Sequence, residues 1–162
     1  MKGQVLTAVG GHSRRTWLAV AVGGFIGTEI RYGLSLLEPH TTGIPWITLA
    51  INVGGSFVLA VLSTWWIARP GTAMWIRAGI GPGTLGSFTT FSAVALSLNT
   101  FASTGRIGLF LGYLGLSLVL GLAAAGAGWI TGQRIGAGTS PLDSDNPALG
   151  APSKDQIPRG RA

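Results

Sequence analysis

The sequence predicts an all-α integral membrane protein with four transmembrane helices, the third broken near the middle of the membrane. Three observations predict this. Hydrophobic residues make up 47% of the 162 residues and charged residues 10%, where a soluble globular domain carries about 25% charged residues. Four apolar stretches, at 17–37, 45–67, 75–101 and 107–130, each reach or exceed the roughly 20 residues that a helix needs to cross about 30 Å of hydrocarbon. Trp17, Trp46, Trp65, Trp66, Trp75 and Trp129 punctuate the ends of those stretches, where amphipathic rings collect at a membrane interface. Four core helices of a soluble protein would need polar outer faces, which these stretches lack.

The first stretch carries Gly23, Gly27 and Arg31 on one helical face. Small residues at a four-residue period let another backbone come close. A charge at a span centre costs roughly 2.5–3.5 kcal/mol and less near an end. Arg31 lies beyond the middle, within reach of the far interface. Glu29, about 200° round the helix from it, forms no simple bridge with it, so each faces a different neighbour or one reaches out to the interface. The second stretch carries Asn52, Gly55, Ser56 and Leu59 as a narrow stripe. An asparagine in hydrocarbon either hydrogen-bonds between helices or lines a pore.

The third stretch is about 40 Å long if fully helical at 1.5 Å per residue. Pro82 removes a helix donor there, among Gly79, Gly81, Gly83 and Gly86. A break is expected between Pro82 and Thr90. In a bilayer it survives only where protein or water satisfies the exposed backbone, and such broken helices make ion sites. A proline kink used only for packing is the alternative. The fourth stretch aligns Tyr113, Ser117 and Gly121, with Gly108, Gly112 and Gly115 as a second close-packing face. Hydroxyls on one helical line relay an ion or serve packing alone.

Residues 1–16 read as a short cytoplasmic arm rather than a cleaved signal, residues 17–130 as the four-span unit, and residues 131–162 as a disordered cytoplasmic tail punctuated by Pro141, Pro147, Pro152 and Pro158. Lys2, Arg14, Arg15, Arg69, Arg77 and Arg134 fall on one side of the spans against Arg106 on the other. That bias puts both termini in the cytoplasm. The net charge of +6 is no nucleic-acid signal, because the basic residues sit at the ends of apolar runs. Cysteine is absent, which excludes disulfides, thiol catalysis and thiolate metal sites. The two histidines, His12 and His40, stand far from any acidic cluster that would make a metal site with them. No carboxylate pair, Ser–His–Asp set or phosphate loop points to an enzyme.

The set Gly24-Phe25-Ile26-Gly27 with Arg31-Tyr32, Asn52-Val53 with Gly55-Ser56-Phe57, and Gly86-Ser87-Phe88-Thr89-Thr90-Phe91-Ser92 resembles the CrcB, or Fluc, family of fluoride channels. The resemblance covers about residues 17–130. It implies an antiparallel, dual-topology-type dimer in the bacterial plasma membrane, with two narrow pores through which toxic fluoride leaves passively, conferring fluoride resistance. It also implies a central structural Na+ held by the backbone carbonyls of Gly86 and Thr89 from both subunits. Asn52, Phe91, Ser92, Tyr113 and Ser117 would form the fluoride pore, with Gly27, Arg31, Gly55, Ser56 and Pro82 shaping the packing. The physics is coherent. Aromatic ring edges carry partial positive charge, a fixed cation dominates local electrostatics, and a negative-inside potential supplies about 2.3 kcal/mol per charge per 100 mV toward anion exit.

Two features depart from the family pattern. Val94 stands where a second pore phenylalanine is expected, and the charge bias disfavours insertion in both orientations. Both point to pairing with an oppositely oriented homologue that supplies the missing ring, with a homodimer as the competing form. Two other classes remain. A small multidrug-type proton-coupled cation transporter would use Glu29, against which the chain length, Arg31 and the broken third stretch speak. A non-transporting membrane assembly subunit would use the glycine faces for packing alone.

Overall fold

The computed structural model describes residues 14–39, 43–69 and 71–137. The expected arm and tail lie outside the described residues except at their inner edges, where the first helix already begins at Arg14 and the last continues to Ala137. The helices are α1 (Arg14–Ser35), α2 (Trp46–Ala68), α3 (Met74–Ala78), α4 (Gly86–Phe88), α5 (Phe91–Ser103) and α6 (Ile107–Ala137), with a π-helical run, Gly79–Leu85, joining α3 to α4. No strand occurs among the described residues.

Among the described residues two helices, α2 and α6, are long and apolar enough to cross a membrane. At 1.5 Å per residue they span about 34 and 46 Å. Core helices of a soluble protein are mostly buried, yet only 17% of the apolar window of α2 and 6% of that of α6 are buried. Their exposed apolar faces therefore call for lipid or a partner. The two helices lie against each other along a glycine seam. A Cβ at Gly128 would strike the Phe57 carbonyl, one at Gly132 would meet the Val61 carbonyl and Thr64, and one at Gly136 would meet Ala68. This corrects the expectation for the fourth stretch. Gly108, Gly112, Gly115 and Gly121 have no described atom within 4 Å of such a Cβ, so within the chain the close-packing register is the later one.

Glu38 starts α2. Its carboxylate accepts from the Ile47 N–H (3.1 Å), the Thr48 N–H (2.9 Å) and the Thr48 hydroxyl (3.3 Å). Pro45, at the N-cap, contributes no side-chain bond, so Glu38 supplies from outside the helix the acceptor that its first N–H groups need.

The chain passes Pro82 without stopping. A proline ring clashes with the carbonyl four residues back, and a π-helical turn relieves the clash by widening. The Gly86 N–H reaches the Gly81 carbonyl, and the Thr84 hydroxyl donates to the Gly79 carbonyl at 3.1 Å. The α1 face read from sequence packs here: a Cβ at Gly23 would strike the Gly79 carbonyl and one at Gly27 the Thr84 carbonyl. The helical path stops later, where Thr89 (φ −75°, ψ 149°) and Thr90 (φ −142°, ψ 116°) are extended.

Leu49, Val94, Phe101 and Tyr113 form one buried cluster of the core. Tyr113 is fully buried, edge-on to Phe101 with ring centroids 6.1 Å apart. The turn from α5 to α6 uses Gly105 at φ 70°, with the Gly105 N–H on the Ala102 carbonyl and the Arg106 N–H on the Phe101 carbonyl, a paired closure that glycine permits at a helix C-terminus.

Candidate functional site

The site is built around the two extended threonines. Thr90 begins α5, and its hydroxyl accepts from the Ala93 N–H at 3.2 Å, the usual bond by which a threonine ends a helix's unpaired donors. Thr89 closes the preceding turn, its N–H and its hydroxyl both donating to the Leu85 carbonyl at 3.0 Å. From α2, the Asn52 amide donates to the Thr90 carbonyl at 2.9 Å and accepts from the Thr90 N–H at 2.7 Å. From α1, Arg31 Nε donates to the Ser87 carbonyl at 3.2 Å. The guanidinium thus lies on the carbonyl end of α4. The carbonyls of Leu85, Ser87 and Thr90 are each engaged, whereas those of Gly86 and Thr89 take part in none of these bonds.

Beside the interruption runs a groove of about 350 Å³. Its walls are mostly aliphatic, from Leu49, Val53, Val94, Leu98, Leu114 and Leu118. Polar groups enter from Asn52, Ser56, Thr89, Thr90 and Ser117. The Ser117 hydroxyl is buried beside that of Tyr113, one turn away on α6. Phe91 stands at the edge of the groove with 83% of its surface exposed.

The structure therefore gathers Asn52, Phe91, Ser117, Ser56 and Thr89 from three separate stretches of sequence. Ser92 is exposed, 3.1 Å from the Thr90 hydroxyl, and is not part of the lining. Tyr113 sits in the core with its hydroxyl buried beside that of Ser117. Gly55 packs against Thr89 and Phe88, and Pro82 is exposed in the π-helical run. Gly86 is exposed. Glu29 is exposed on α1 and does not line the groove. Among the described residues no three His, Cys, Asp or Glu side chains form a metal-binding group. Sequence reasoning missed Glu38, whose role shows only once the connection folds back onto α2. It also missed that Asn52 finds its partner in a backbone.

A family profile described as "CrcB-like protein, Camphor Resistance (CrcB)" matches residues 18–129. The chain is 37% identical over 119 residues to "Fluoride-specific ion channel FluC 2" of Geobacillus kaustophilus, covering 72% of this chain and 92% of that protein. It is 40% identical over 118 residues to "Fluoride-specific ion channel FluC" of Xanthomonas euvesicatoria, covering 72% and 89%. It is 41% identical over 125 residues to the protein of the same name from Deinococcus radiodurans, covering 74% and 96%.

Proposed function

This chain belongs to the CrcB family, and from that premise we propose that it is a subunit of a fluoride-selective channel of the bacterial plasma membrane, not an enzyme, that lets fluoride leave passively. Its four spans are α1, α2, the interrupted series from α3 to α5, and α6, with the interruption at mid-membrane and both termini in the cytoplasm. The observation that carries the reading is the groove itself: a mainly aliphatic space lined by Ser117 and by the Phe91 ring.

A small hydrated anion entering such a space needs replacement donors. Ser117 offers an O–H, and the rim of the Phe91 ring offers its positive edge. The aliphatic walls hold few competing waters, which strengthens both interactions. Tyr113 extends the same line of hydroxyls one turn away on α6. No coupling is required, since the potential alone favours anion exit by about 2.3 kcal/mol per 100 mV.

The chemistry of the Gly86 and Thr89 carbonyls fits a hard cation, which takes oxygen donors. Two such oxygens make only part of a shell, and the same pair from a second, antiparallel subunit would add to it. A Na+ held there would supply a fixed positive charge beside the anion path. The second subunit is either another copy or an oppositely oriented homologue. Val94 lines the groove one turn after Phe91, so an aliphatic side chain occupies the place of the second ring in this chain.

Purified protein reconstituted in liposomes and read with a fluoride electrode tests the proposal, with chloride as control. Fluoride efflux well above chloride efflux is expected, from the protein alone or together with an oppositely oriented homologue, and lost with Phe91→Ala in protein that still inserts. Efflux indifferent to that change, or equal for both anions, overturns it. If correctly inserted protein is silent alone, co-reconstitution with a homologue from the same genome should restore efflux.

A further inference from the structure

Asn52 and Gly55 lie nearly one turn apart on α2, and both meet the interruption. A Cβ at Gly55 would strike the Thr89 methyl group, so α2 lies tight against the chain where it is extended. Asn52 uses both halves of its carboxamide on one residue: Oδ1 takes the Thr90 N–H at 2.7 Å and Nδ2 gives to the Thr90 carbonyl at 2.9 Å. Without it, the Thr90 N–H would lose its partner among the described residues and the Thr90 carbonyl its side-chain donor, a costly loss in an apolar setting. A side chain of this length that both donates and accepts from a planar fork is a carboxamide. A carboxylate only accepts, and a single hydroxyl cannot span both groups.

We infer that Asn52 is a positioning residue. It fixes Thr90, and through Thr90 the direction of the Thr89 carbonyl and the start of α5 that carries Phe91. Its contribution to ion passage runs through that backbone rather than through ligation of the anion by its amide. The inference rests on the reading of the groove as an ion path. It leaves Ser117 and the Phe91 edge as the groups that meet the anion.

The test compares full-length wild type, Asn52→Ala, Asn52→Asp and Ser117→Ala by hydrogen–deuterium exchange in detergent and by fluoride efflux from liposomes. Asn52→Ala should speed amide exchange over residues 86–93 by about tenfold, with α2 and α6 unchanged. Asn52→Asp keeps the acceptor and loses the donor, so it should speed exchange by less, and it serves as the probe if the alanine variant does not fold. Ser117→Ala should leave exchange untouched. All three should lower efflux. Loss of efflux in the Asn52 variants with unchanged exchange over 86–93 would mean direct ligation and overturn the inference. Faster exchange spread over α2 and α6 would mean general packing and also overturn it. A wild type that passes no fluoride, alone or with a homologue, removes the channel reading, while the exchange pattern still decides whether Asn52 holds Thr90.

Discussion

A glycine in this protein matters by what its missing Cβ would meet. In α1, Gly27 abuts the Thr84 carbonyl, whereas Gly33 has no described atom within 4 Å. Gly27→Ala forces two backbones apart and should cost about 1–3 kcal/mol or more. Gly33→Ala should gain about 0.5–1 kcal/mol from a stiffer unfolded chain. Thermal unfolding midpoints in detergent should move in opposite directions for the two. Glu38 gives a second contrast. Glu38→Ala removes three bonds from the start of α2 and should lower stability by about 1–2 kcal/mol, while Glu38→Gln, which keeps one acceptor, should lose less in the same measurement. At this scale the sequence was partly legible. The face of Gly23, Gly27 and Arg31 is a local periodicity and was readable. The partner of Asn52 lies 38 residues away along the chain, so no local pattern could name it.

The third stretch shows how tertiary contacts overrule a local signal. Pro82 invites a break, yet the π-helical run absorbs it, and the chain becomes extended about two turns later. The reason is where the partners stand: α1 supports the run through Gly23 and Gly27, and Asn52 on α2 offers an alternative to helical bonds at Thr90. Two predictions follow from that division of labour. Pro82→Ala should leave the interruption in place, with exchange over residues 86–93 unchanged, because Asn52 rather than the proline holds it. Thr84→Val keeps the shape but removes the bond to Gly79, and should cost about 1 kcal/mol in thermal stability. In α6 the limit on legibility is different. The sequence offers two glycine registers, and periodicity alone cannot say that Gly128, Gly132 and Gly136 face α2 while the earlier set stays open.

At the scale of the whole molecule, the charge bias becomes a property of one end. Arg77 donates to the Arg69 carbonyl at 2.7 Å, Arg69 stacks on Trp65 at 4.9 Å, and Gly136, two residues beyond Arg134, lies against Ala68. Ala19 packs on Gly79, which brings the Arg14 end of α1 to the same end. Arg106 lies over Phe101, at the turn that joins α5 to α6. Composition and span length are local sums, so this arrangement was legible before the structure. Assembly is not, because a surface meant for a second subunit would be written in exposed apolar residues indistinguishable from those meant for lipid. Orientation can decide between the two forms of assembly. The chain lacks cysteine, so single cysteines at Thr72 and at Thr104 report on opposite ends. In intact cells a membrane-impermeant maleimide should label Thr104→Cys and spare Thr72→Cys, the outcome that a strong basic bias dictates. A chain fixed in that way cannot pair antiparallel with its own copy, so its expression alone in cells lacking relatives should confer no fluoride resistance, and co-expression with an oppositely biased homologue should restore it. Equal labelling of both positions would instead show insertion in both directions, and the homodimer would then be the working channel.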